Sequence, residues 1–252
     1  MRARPPQGYV IAQKRATVAP AAKKKAPVPK RRKTLKVAIV VDDFGYNMNN
    51  VNAFLNIGQP ITLSILPDQP YSARIANIAR LHGYEVILHL PLEAHGNKVK
   101  EEADTIRSGM SRTEIVGRLE KEIASVPGIT GVSNHMGSKA TEDRELMPVI
   151  LKYLKKRGLY FFDSLTSEKS VCREVAVSAG VRFARRDIFL DNLNDVAAIE
   201  EELRSLGRLA RKRGRAIAIC HDRKNTVIAL GRMMPEMAKE DISFVTLSEM
   251  VN

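Results

Sequence analysis

The run Val37-Ala38-Ile39-Val40-Val41-Asp42-Asp43-Phe44-Gly45 sets two adjacent carboxylates directly behind five apolar residues. Four of the five are β-branched and none is polar, which reads as a strand covered on both faces. Further strands are predicted at Ile61–Leu66, Glu85–Leu90, Gly131–Asn134, Tyr160–Asp163, Val181–Ala184, Ala216–Cys220 and Phe244–Thr246. Amphipathic helices are predicted between them, at Asn49–Asn56, Ser72–His82, Arg112–Ser125, Glu142–Arg157, Val196–Lys212 and Thr226–Lys239. Thr141 before Glu142-Asp143 reads as a helix start, and Gly158 and Gly214 as stops. Alternating strands and helices predict βαβ units and a mainly parallel sheet. Seven or eight such units suit an irregular seven- or eight-stranded β/α barrel better than an open doubly wound sheet. No GxGxxG follows the first strand to support a dinucleotide fold.

Polar residues follow directly on the apolar runs: Asp42-Asp43, His89, Asn134-His135, Asp163-Ser164, Arg186-Asp187 and His221-Asp222. In parallel β/α folds the carboxyl ends of the strands share one rim, so these residues are expected to meet there. Three of the five histidines are among them; His82 and His95 read as surface residues. Asp and His are the ligands of a hydrolytic divalent ion, most simply zinc. One carboxylate and two imidazoles leave a coordination position open for water. A second carboxylate could then take that water's proton, and another histidine could protonate the leaving group. Asp42, Asp43, His89, His135 and His221 supply these parts. Taken alone, the acid pair could instead cap a turn, and either His89 or His135 could be a core histidine.

Five strings in register across about 210 residues resemble the divergent polysaccharide deacetylase family: Val37 through Gly45, Gly83 through Glu93, Gly131 through Ser138, Phe161 through Ser164, and Arg186 through Asn192. The resemblance implies an irregular β/α barrel related to enzymes that remove N- or O-acetyl groups from sugars. It implies Asp42 as base and Asp43 as metal ligand, an order the residues alone leave open. The wider superfamily places a second ligand histidine four residues after the first, where this chain has Glu93. The third ligand is therefore assigned to His135, and the metal set reads Asp43, His89 and His135. His221, within Cys-His-Asp-Arg, is the expected acid. Arg186, Asp163 and Asp187 are expected at the substrate, while Asp191 and Asn192 read as the start of the next helix.

The net charge of +13 suggests nucleic acid until it is located. Residues 1–36 hold twelve of the 41 Lys/Arg and none of the 28 acids, leaving 29 bases against 28 acids in the remainder. A nearly neutral folded part predicts no specific nucleic-acid partner, because a basic face would have to be built into the fold. Residues 1–33, rich in Ala, Pro, Lys and Arg, read as a disordered basic linker ahead of a single domain at 34–252. That tail could touch an anionic membrane surface or an acidic polymer. Cys172 and Cys220 fit no metal or disulfide pattern. No signal peptide or membrane-spanning stretch is visible, so the cell-envelope or periplasmic location rests on the resemblance alone. The expected partner is a carbohydrate or glycan. An aromatic content of 5% without Trp argues against a long Trp-lined cleft.

Overall fold

The computed structural model describes residues 34–96 and 102–252, together with Met1, Arg2 and Gly8. Lys33–Asn252 forms one compact unit, and Met1–Arg32 is assigned to another. The expected disordered linker falls almost wholly outside the described residues.

Strands and helices alternate along the chain: β1 (Leu35–Phe44), α1 (Val51–Leu55), β2 (Thr62–Ile65), α2 (Ser72–Leu81), β3 (Glu85–Leu92), α3 (Arg112–Ser125), β4 (Gly131–Met136), α4 (Leu146–Lys156), β5 (Tyr160–Asp163), α5 (Cys172–Ala179), β6 (Phe183–Arg185), β7 (Ile188–Phe189), α6 (Val196–Arg213), β8 (Arg215–His221), α7 (Lys224–Lys239) and β9 (Ile242–Phe244). Every strand pair is parallel. The sheet runs β6-β5-β4-β3-β2-β1-β8-β7, with β9 beside the start of β1. It curls into a half-barrel that stays open between β6 and β7.

Two predicted boundaries move for local reasons. The helix expected from Glu142 begins at Leu146, because the Asp143 carboxylate accepts from the amides of Glu145 and Leu146 and so caps the later turn. Helix α5 was not expected: only Cys172 and Ala176 of its eight residues are buried, too few to print a helical period. Gly214 ends α6 in the left-handed conformation, as its position predicts.

Strand alternation decides what faces what. Val37, Ile39 and Val41 of β1 join the layer packed between sheet and helices. Ala38 and Val40 turn into the barrel with Ile87 of β3, Tyr160 and Phe162 of β5, and Ile217 and Ile219 of β8. Counting in twos from these inward residues reaches Asp42, His89 and His221. Likewise Val132 of β4 faces the helices, so Ser133 and His135 turn inward.

Candidate functional site

Regular alternation would send Asp43 outward, away from Asp42. A register shift between Val41 and Phe44 prevents this: Asp43 takes a left-handed φ of 68°, and Phe44 returns to the outer core. Aspartate tolerates that conformation better than most side chains, and such backbone clusters at working sites. Both carboxylates therefore face the barrel interior.

Asp43, His89 and His135 converge, their ligand atoms all within 4.8 Å of one another. Asp43 Oδ1 lies 3.4 Å from His89 Nε2 and 3.3 Å from His135 Nδ1. That oxygen is buried and no hydrogen bond of good geometry reaches it. Tetrahedral donors held ~2.0–2.1 Å from one ion would stand roughly 3.3–3.4 Å apart, so the residues present fit a divalent metal. Burial raises the Asp43 carboxyl, but its contacts with His135 and His89 outweigh that and hold it well below the usual carboxylate range.

Two of the three histidines are held from behind. His89 Nδ1 is 2.8 Å from the Ser133 hydroxyl, itself 2.8 Å from that of Ser64, and all three residues are buried. The pair aims Nε2 at Asp43. The His135 ring packs edge-on to His89, with centroids 4.9 Å apart. His221 Nδ1 donates to Asp191 Oδ1 at 2.9 Å; a carboxylate only accepts, so Nδ1 carries the proton and Nε2 faces the site. Asp191 is fully buried and also accepts from the His221 amide and the Thr226 hydroxyl. Burial alone would lower the His221 imidazole, yet the bond to Asp191 and the charges of Asp42 and Asp43 lift it above its ordinary value. Its Nε2 stands 4.0 Å from Asp43 Oδ2.

Asp42 is 2% exposed and lies 3.6 Å from His89 Nδ1. Burial pushes its carboxyl upward, with the charges of His89 and His221 pulling the other way. Arg186 donates to the carbonyls of Ser164 and Leu165; burial lowers its guanidinium from the ordinary value, with the charges of Asp163 and Asp42 pulling the other way. Its guanidinium lies over the Phe189 ring, which in turn packs on His221.

Two residues expected at the substrate are occupied elsewhere. Asp163 shares the outward parity of Phe161, and its carboxylate accepts from the Leu165 amide and the Ser170 hydroxyl. Asp187 accepts from Arg213 and the Ile217 amide, four residues short of His221 on β8. Glu93, at the superfamily's second histidine position, is held by Lys139 and the Ser108 amide. The sequence reading missed Ser64, Ser133 and Asp191. A polar residue of inward parity inside an apolar strand was the available signal for both serines. Asp191 follows Ile188-Phe189-Leu190, but it reads as the start of the next helix, which begins instead at Val196 behind the Asp195 cap.

The family model described as divergent polysaccharide deacetylase matches residues 39–251, which include every residue of this cluster. The chain belongs to that family. A member-like relative, the uncharacterized protein YibQ of Escherichia coli K12, is 36% identical over 217 residues, covering 86% of this chain and 67% of the relative. The crystal structure of the uncharacterized protein ATU2773 from Agrobacterium tumefaciens C58 superposes with a TM-score of 0.83 at 26% identity, covering 86% of this chain and 89% of the other. The fold of this family member also resembles BA3943 of Bacillus anthracis, described as a CE4 family pseudoenzyme. There the TM-score is 0.55 at 12% identity, over 86% and 65% of the two chains.

Proposed function

We propose that this protein is a metal-dependent hydrolase that removes acetyl groups from an amino sugar or a related envelope polysaccharide. The observation carrying this reading is the convergence of Asp43, His89 and His135 around one buried, unsatisfied carboxylate oxygen. These three residues would hold one divalent ion, zinc by its preference for nitrogen and oxygen donors. When bound, that ion supplies Lewis acidity to the acetyl carbonyl and acidifies water.

The remaining chemistry belongs to the chain. Asp42, adjacent to a ligand and inside the barrel, accepts the proton of the attacking water. His221 Nε2, aimed by Asp191, donates a proton to the departing amine or alkoxide. Arg186 holds the Ser164–Leu165 turn at the rim and offers its guanidinium charge to a developing oxyanion. The family supports an envelope location, where the basic N-terminal residues would lie against anionic polymer or lipid.

The test is turnover of N-acetylated chito-oligosaccharides and peptidoglycan fragments with added zinc, abolished by chelation. Asp42→Asn and His221→Ala should keep the metal and the fold while lowering kcat by roughly 10²–10⁴-fold. Activity surviving in both variants overturns the mechanism. A second reading, a non-catalytic module that binds glycan through the same rim, is favoured by Glu93 standing where a second ligand histidine is usual. It predicts glycan binding without turnover by the zinc-loaded protein.

A further inference from the structure

The seam where the sheet fails to close holds a cavity of about 230 Å³. Arg173 of α5, Arg185 of β6, Arg213 at the end of α6 and Arg215 at the start of β8 all line it. The side-chain carboxylate in the lining is Asp187, already engaged by Arg213 at 2.9 Å and by the Ile217 amide at 2.9 Å. Arg215 is held by neutral acceptors, the Met250 carbonyl and the Asn252 side chain. The Arg173 and Arg185 side chains have no hydrogen bond or ion pair among the described residues, Arg185 feeling only the more distant charge of Asp163. Even with a main-chain carboxylate counted on Asn252, the lining keeps an excess of positive charge.

Arg213 is paired with Asp187, whereas Arg173, Arg185 and Arg215 meet no further side-chain carboxylate in the lining and can converge on an anion. Their planar forks match phosphate oxygens in pairs, which favours phosphate over a simple halide. The volume lies below the ~300–1,000 Å³ of pockets that enclose drug-sized ligands, which fits a compact anionic group rather than a sugar chain. Arg215 and His221 are six residues apart on extended β8, roughly 20 Å at ~3.3 Å per residue, so the seam is separate from the rim cluster.

We propose that this seam is a phosphate-binding site, occupied by a phosphate group carried either on a soluble ligand or on a lipid headgroup. Calorimetric titration of the full chain with inorganic pyrophosphate, at fixed ionic strength, tests it. Saturable one-to-one binding is expected, weakened at least about tenfold in R173A/R185A, because two charge-assisted partners are lost. These two arginines are exposed and their side chains make no hydrogen bond or ion pair among the described residues, so the double variant should keep nearly the wild-type thermal midpoint. Binding should persist in Asp43→Asn, which separates the seam from the rim. Co-sedimentation with phosphatidylglycerol vesicles distinguishes the sources: more wild-type than R173A/R185A protein in the pellet assigns a lipid headgroup, and equal pelleting with pyrophosphate binding intact assigns a soluble phosphate. Absence of saturable pyrophosphate binding, equal affinity in R173A/R185A, or loss in Asp43→Asn overturns the proposal.

Discussion

Glu122 of α3 is fully buried, and neither carboxyl oxygen has a hydrogen-bond partner. Burial, reinforced by the charges of Asp104 and Asp68, pushes its carboxyl up to about 9 from an ordinary value of 4.5, against the weaker pull of Arg118 and Lys121. The native state therefore keeps a proton at neutral pH that the unfolded chain releases. A raised carboxyl favours the native state fully below about pH 4.5, and that advantage is lost as pH rises toward 9. Within this window each pH unit costs about 1.4 kcal/mol for one proton, so the deficit at pH 7 is roughly 3 kcal/mol. Glu122→Gln keeps the shape and removes the ionisation. Urea unfolding of the two proteins should give nearly equal stability at about pH 4, with Glu122→Gln pulling ahead by roughly 3 kcal/mol at about pH 7 and an unchanged m-value. A stability gap that stays flat from about pH 5 to 8 would refute the reasoning, because a titrating group must produce a slope.

Metal analysis should find Asp43→Asn depleted of zinc while Glu93→Ala retains it, since Glu93 is bound to Lys139 and Ser108 and does not face the cluster. Asp191→Asn should lower kcat by roughly 10-fold or more with metal content unchanged, and its kcat should fall further than kcat/KM for binding-limited substrates would require; NMR of the His221 ring should show a changed tautomer. Gly131→Ala should destabilise by roughly 1–3 kcal/mol in urea unfolding, because the new methyl would stand 2.3 Å from the buried Tyr160 ring.

The barrel was legible because parallel strands covered on both faces print as apolar runs, and each run ends where chemistry begins. Asp42-Asp43, His89, His135 and His221 stood out because they interrupt or end those runs. Parity would have refined the choice: His89 and His221 fall two residues beyond the inward Ile87 and Ile219, whereas Asp163 falls two beyond the outward Phe161. Asp191 was hidden for a different reason. It follows only the short run Ile188-Phe189-Leu190 and reads as a helix start, and its partners Thr226 and His221 are thirty or more residues distant. Only the packing of the loop before α6 against β8 brings them together.

The extra residue in β1 also has a consequence for reading relatives of this chain. The position of Asp43 beside the two histidines depends on how many residues lie between Val41 and Phe44, as well as on which residues they are. A chain that kept both aspartates but ran through this point in regular alternation would turn one carboxylate into the helical layer. Presence of the motif letters is thus an insufficient criterion for an intact cluster: the left-handed turn at Asp43 has to be kept with them.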